Sequence, residues 1–363
     1  MINALQIFVF LPLFMITFPD ISITMINHLI TIATFDVLPS DDILVETIDA
    51  PIDEDLEDAK FVDIGFGSPF MTINLGTLYL TVAVFLAILI LMILTRPCLH
   101  CSTRLKSKHE SIMLGFKGNM WIRYMMEGFL DIGICCALNY HDSHILENGI
   151  KVDSLFATVN NISFLLFSLA LGLFPLWALI FYLCNFKKWS NEDFEEKYGA
   201  VFEGIRLSEG KNLKKSEKDD GKFEVEGEVM KRSALAYSII FMTRRLALII
   251  VVTIFREHLF IQINTLFLCS SVQVFYLTTY LPMEDTLVQR LEVFNEVTAI
   301  ALINILPIFS EYNQNGNNSI IQADVLFLCV LFANLVVHLF FLFKGSIVDL
   351  KLKCKLFANK RAQ

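Results

Sequence analysis

Long apolar runs separated by short polar ones set the pattern of this chain. Windows 72–95, 119–140, 155–186, 234–255, 259–281, 291–310 and 322–343 are predominantly apolar. Each meets or nearly meets the ~20 residues that a helix needs to cross the hydrocarbon core of a bilayer. Phenylalanine, 33 of 363 residues, is spread through these runs, as suits helices that face lipid around most of their circumference. The pattern predicts an all-α polytopic transmembrane bundle of about seven spans, since only helices and closed barrels satisfy their own backbone in lipid. The window 155–186 is longer than a crossing requires and contains Pro175, which predicts a tilted or kinked span. Pro282 marks the end of the fifth span and Pro307 the outer end of the sixth.

Ahead of these windows, the run 4–18 (ALQIFVFLPLFMITF) has the length of a signal-peptide core but no basic flank and no clear small-residue cleavage site. Residues 1–20 therefore read as a signal peptide or a signal anchor. The milder apolar stretch 21–35 can join that run as a hairpin or lie along the membrane surface.

Charge gives the bundle its direction. Only 18% of residues are charged, 55% are hydrophobic and the mean hydropathy is +0.57, against about 25% charged in soluble domains; a soluble enzyme is excluded. The net charge of −9 comes from one place: between Asp36 and Asp63 there are eleven acids and, as the single base, Lys60. With seven spans, five Lys/Arg fall in 96–118, eleven in 187–233, one in 282–290 and six in 344–363, all on one side. Lys60, Lys151 and Arg256 are the bases of the other side. By the positive-inside rule the first set is cytoplasmic. The N-terminus, after its signal sequence, and the acidic segment 21–71 are then outside and the basic tail 344–363 inside. Spans one to three occupy 72–186 and spans four to seven 234–343. Dropping a central span would place the 187–233 loop beside the acidic segment, and 119–140, the least apolar window, is kept mainly on that ground.

The loop 187–233 carries one structured element. Ser190 followed by Asp193 resembles an N-terminal cap. Phe194, Tyr198, Val201, Phe202 and Ile205 then recur at helical spacing, predicting an amphipathic helix on the inner membrane surface or docked under the bundle, with Trp189 at the interface. The mixed-charge stretch 207–232 reads as a linker.

Ionisable residues inside apolar spans are costly and mark sites of function or tight packing. Arg123, Glu127 and Asp131 are spaced i, i+4, i+8 and stripe one face of the second span. Arg244 and Arg245 lie about ten residues into the fourth; an unpaired arginine there costs roughly 2.5–3.5 kcal/mol. Carboxylate partners are expected, first Glu127 and Asp131, then Glu292, Asn295 and Glu296 at the inner end of the sixth span. This cluster is either a permeation or gating seam or a static interhelical clasp. The outer acidic segment either gathers cations or is a solvated linker.

Other motifs narrow the chemistry. Asn161 (Asn-Ile-Ser) and Asn317 (Asn-Asn-Ser) are glycosylation sequons near the outer side. Cys98 and Cys101 form one CxxC with no second pair, so no metal site is assigned; with Cys354 they are juxtamembrane candidates for lipidation. The remaining cysteines fall in spans and read as packing residues. His109-Glu110 does not continue to HExxH, and neither a nucleophile elbow nor a phosphate-binding loop occurs. No enzyme activity, cofactor or nucleic-acid partner is expected.

Several short phrases together carry a resemblance. They are Gly65-Phe66-Gly67-Ser68 with Ile73-Asn74-Leu75-Gly76, Trp121-Ile122-Arg123 with Glu127 and Leu130-Asp131, residues 197–204 (KYGAVFEG), Arg244-Arg245-Leu246, and residues 291–296 (LEVFNE). Over roughly 60–363 the chain resembles the C-terminal membrane module of transient-receptor-potential-like (TRP-like) surface proteins of protists and, more remotely, the fungal TRP-like family. It departs from them where relatives carry a large cysteine-rich ectodomain, since the segment ahead of the module here is short, acidic and free of cysteine. The resemblance implies a cation-channel-like or transport role, with calcium as a candidate ion, in the plasma membrane or an endomembrane, and with lipid and further copies of the chain as partners. The alternative is a seven-span receptor or signalling scaffold without transport. Against a receptor, the third span has no arginine motif at its inner end and the seventh no Asn-Pro step.

Overall fold

The structure, a computed structural model, describes residues 2–34, 43, 47, 59–64, 66–95, 109, 112–113, 118–142, 154–185, 194, 197–206, 234, 236–310 and 317–362. Most of the acidic segment and of the 187–233 loop lies outside the described residues. So do Ser190, Asp193, Trp189, Cys98 and Cys101.

Among the described residues the regular structure is helical. In chain order it comprises α1 (Ile2–Val9), α2 (Asp20–Thr34), α3 (Ala59–Asp63), α4 (Met71–Asn74), α5 (Gly76–Thr95) and α6 (Asn119–Glu127). There follow α7 (Phe129–Asp142), α8 (Leu155–Asn185), α9 (Tyr237–Thr253), α10 (Leu259–Tyr280), α11 (Thr286–Ile305) and α12 (Asn317–Ala362). Five stretches are long and apolar enough to cross a membrane: Gly76–Thr95, Leu155–Asn185, Leu259–Tyr280, Thr286–Phe309 and Ser319–Lys344. That is the architecture of a multi-pass integral membrane protein. Apolar side chains of α5, such as Ile90, Leu91 and Leu94, are more than half exposed, the surface a lipid-facing helix presents.

Two of the seven expected windows differ. The run 119–140 is not one helix: it breaks at Gly128 into α6 and α7. The fourth window forms α9, which has 17 residues, and its centre holds the adjacent arginines. Both fall outside the set of candidate spans, so the structure carries five on length and composition. At Pro307 α11 tightens into a 3-10 turn over Leu306–Phe309, because proline lacks the N–H and clashes with the preceding turn. Pro175 lies within the 31 residues of α8, about 46 Å of helix at 1.5 Å per residue, more than one perpendicular crossing.

The α10–α11 connection is tight. Leu281 takes a left-handed conformation (φ 45°) and Pro282 prevents the helix from continuing. Gln289 stitches the turn, its Nε2 donating to Leu277 O (2.7 Å) and its Oε1 accepting from Met283 N (3.0 Å). The Asp285 side chain caps α11 by accepting from Leu287 N at 2.8 Å.

Residues 2–34 form a hairpin built into the bundle. Val9, Phe10 and Phe14 are fully buried, in the same apolar cluster as Leu130, Leu302, Leu306 and Phe327. A run whose length and hydropathy suggest a targeting segment is here an interior element. The apolar face expected in the 187–233 loop also reaches the bundle. Gly199–Phe202 is a 3-10 turn, and Val201, Phe202 and Ile205 pack with Ile122 and Ala234. An antiparallel bridge between Ile205 and Met283 fixes this turn against the α10–α11 connection.

Candidate functional site

Helix α9 runs through the middle of the bundle, and its two arginines, about 100° apart on the helix, meet two different surroundings. Arg244 is 6% exposed and Arg245 1%. Arg244 Nη1 forms an ion pair with Glu296 Oε1 on α11, and its Nη2 donates to Ser270 Oγ on α10 at 3.2 Å. Asn295, Thr298 and Ala299 are buried on one face of α11, the i, i+3, i+4 stripe that turns inward, with Glu296 buried beside it.

Arg245 has one of the expected carboxylates, Asp131, as an electrostatic neighbour, and adds partners that were not expected. Its Nη1 donates to the main-chain oxygens of Met126 (2.6 Å) and Glu127 (3.4 Å), at the C-terminal end of α6. Its Nη2 donates to Gln6 Oε1 on α1, and its guanidinium lies 4.3 Å from the centre of the Phe241 ring. Helix C-termini carry carbonyls without intrahelical partners and the negative end of the dipole, so the break at Gly128 supplies a cation-binding end inside the bundle. Asp131, in the first turn of α7, accepts from Gln6 Nε2 at 3.4 Å and leaves Oδ1 buried without a hydrogen-bond partner.

The expected stripe of Arg123, Glu127 and Asp131 is therefore dispersed. Arg123 pairs with Glu203, with side chains 47% and 62% exposed, and the Glu127 side chain is exposed. Asp131 alone of the three turns into the bundle. The leading carboxylate candidates for Arg244 are replaced by Glu296. Of the sequon residues, Asn161 is buried within α8, and Asn317 opens α12. Cys354 falls within the same helix.

The polar cluster extends further than the sequence reading took it. Asn295 Oδ1 accepts from Asn334 Nδ2 at 3.2 Å and is hydrogen-bonded to His338 Nε2. Asn334 Nδ2 also donates to Thr298 Oγ1 at 2.8 Å. Asp324, Asn334 and His338 lie on one buried stripe of α12 with Phe327 and Leu331. Asp324 is hydrogen-bonded by Ser22 Oγ of α2. Sequence reasoning passed over Asp324 and His338, although ionisable residues in an apolar window were the available signal.

Between these groups lies a cavity of about 10 Å³, room for about one water. Ile7, Phe8, Arg244, Glu292, Asn295 and Glu296 line it. Around the cluster the buried acceptors Glu296 Oε2, Gln273 Oε1 and Asn334 Oδ1 have no hydrogen-bond partner, and neither has Arg244 Nε. Such spare valences in a dry interior are met by water, a proton or an ion. Among the described residues no group of three or more His, Cys, Asp or Glu forms a metal cluster. No family model, curated protein or solved structure matches the chain.

Proposed function

We propose that this multi-pass membrane protein is a TRP-like, cation-channel-like or transport-related protein in which the Arg244–Glu296 pair lies on the permeation or gating route. The observation that carries the reading is a buried ion pair with spare polar valences bordering a water-sized cavity. Ionisable groups retained in a membrane interior are the usual mark of an ion pathway. The cavity is too small for a hydrated ion, so conduction requires the pair to part or the helices around it to shift. In this reading the chain crosses the membrane seven times, α6–α7 and α9 supplying the crossings beyond the five apolar helices. The acidic stretch between Asp36 and Asp63 faces outward, where it concentrates cations such as calcium.

The test is flux from liposomes holding the purified protein, with potassium- and calcium-sensitive dyes and both membrane polarities. Cation flux above protein-free liposomes is expected. Its absence from well-folded protein removes the reading. A second reading, a receptor or scaffold without transport, has a specific observation in its favour. Arg244 already has its carboxylate, and Arg245 has helix carbonyls and Gln6, which suits a static clasp.

A further inference from the structure

Residues 5–14, the end of α1 and the 3-10 turn after it, are buried throughout. Leu5, Gln6, Phe8, Val9, Phe10, Leu11, Leu13 and Phe14 are at most 2% exposed, whereas the lipid-facing α5 leaves most of its circumference open. α1 has eight residues, about 12 Å of helix, too short to cross ~30 Å of hydrocarbon. Its burial is that of an element packed in protein.

A segment with this burial must have its backbone ends met by protein, and they are. Met15 N donates to Gln262 Oε1 on α10 at 2.9 Å, and Thr17 N to Phe309 O at 3.2 Å. Lys60 Nζ donates to Phe14 O at 2.8 Å. Gln6, the single polar side chain in 4–16, is placed on Arg245, Asp131 and the Glu127 carbonyl. Its neighbours Ile7 and Phe8 form a wall of the cavity that holds Arg244 and Glu296. The second leg of the hairpin is fastened to α12 through Ser22 and Asp324.

We infer that the bundle contains an internal docking groove whose occupant is the chain's own segment 5–16, retained in the mature protein as the lid of the polar cavity. Gln6 is the latch. It recognises a buried arginine, and its loss removes one of that arginine's hydrogen bonds while the apolar wall beside the ion pair loosens. The inference depends on the transport reading only for what an open lid lets through.

Two measurements on the full chain test it. Peptide mass spectrometry of the purified protein should recover peptides spanning Gln6 in the same proportion as peptides from α10; a mature N-terminus beyond Phe18 overturns the inference. Next, Ala299→Cys, at a cavity-lining position, is treated with a small charged thiol reagent and modification is read on that peptide. The cysteine should be protected when Gln6 is present and less so with Gln6→Glu, which keeps an acceptor for Arg245 but loses the donor that Gln6 offers Asp131 and the Glu127 carbonyl. With Gln6→Ala the rate should rise at least roughly tenfold, the least that losing a hydrogen bond to a charged group implies for a local opening equilibrium. Equal rates in all three overturn the lid. Should Gln6→Ala fail to fold, the mature N-terminus and the protection of Ala299→Cys alone still decide. A Gln6-dependent rate without flux in any variant upholds the lid and removes the transport reading.

Discussion

Glu296→Ala removes the carboxylate that faces Arg244 and leaves the guanidinium with one neutral hydrogen bond, to Ser270 at 3.2 Å. Arg244 and Glu296 are only 6% and 5% exposed, so bulk solvent does not replace the lost partner and the cavity beside them has room for about one water. Breaking a buried pair from one side costs about 3–5 kcal/mol. Replacing both partners by apolar residues of similar size is instead near neutral or stabilising, so Arg244→Met/Glu296→Leu should recover most of the loss. Arg244→Met, Glu296→Leu and the double variant form, with wild type, a cycle whose coupling should be about 2 kcal/mol or more, at the upper end for contacting residues. Tryptophan fluorescence during unfolding by dodecyl sulfate in mixed micelles measures each corner. A cost below ~1 kcal/mol for Glu296→Ala, the range of an exposed pair, would refute the reasoning. So would additive single variants.

Other sites give independent tests in the same unfolding assay. A Cβ at Gly133 would sit 2.1 Å from Ile249 Cδ1 and 2.6 Å from its Cγ1, so Gly133→Ala should cost about 1–3 kcal/mol, and Ile249→Ala added to it should recover part of that. Ser22→Ala strips a hydrogen bond from the buried Asp324 and should cost about 1–3 kcal/mol; the same change in an Asp324→Leu background should cost much less. Arg123→Ala breaks a largely exposed pair and should change stability by less than about 1 kcal/mol, a control for charge removal as such.

Hydropathy located the helices that face lipid, because a run such as 76–95 has no polar residue to dilute it beyond threonine and tyrosine. It located α10, α11 and α12 of the site as well and said less of α6–α7 and α9, because a helix packed in protein can hold arginines or a break. The i, i+4, i+8 stripe of Arg123, Glu127 and Asp131 assumed one continuous helix. The break at Gly128 ends that register and leaves Arg123 and Glu127 at the surface. Arg244 was recognisable as needing an acid, and Glu296 was among the candidates. Arg245 has the expected Asp131 nearby but donates hydrogen bonds to main-chain carbonyls and Gln6, and no side-chain pattern displays the carbonyls. Gln6 was hidden by a run whose composition matches a targeting segment, and only its burial reveals it as part of the site.

The central claim is that the Arg244–Glu296 pair lies on the route of an ion. The most direct measurement is cation flux from liposomes loaded with equal amounts of folded wild type, Glu296→Gln and Arg123→Ala. Flux is expected from wild type and Arg123→Ala, with a clear change, in rate or ion preference, for Glu296→Gln. Identical flux from all three would take the pair off the route, and flux from none would contradict transport altogether.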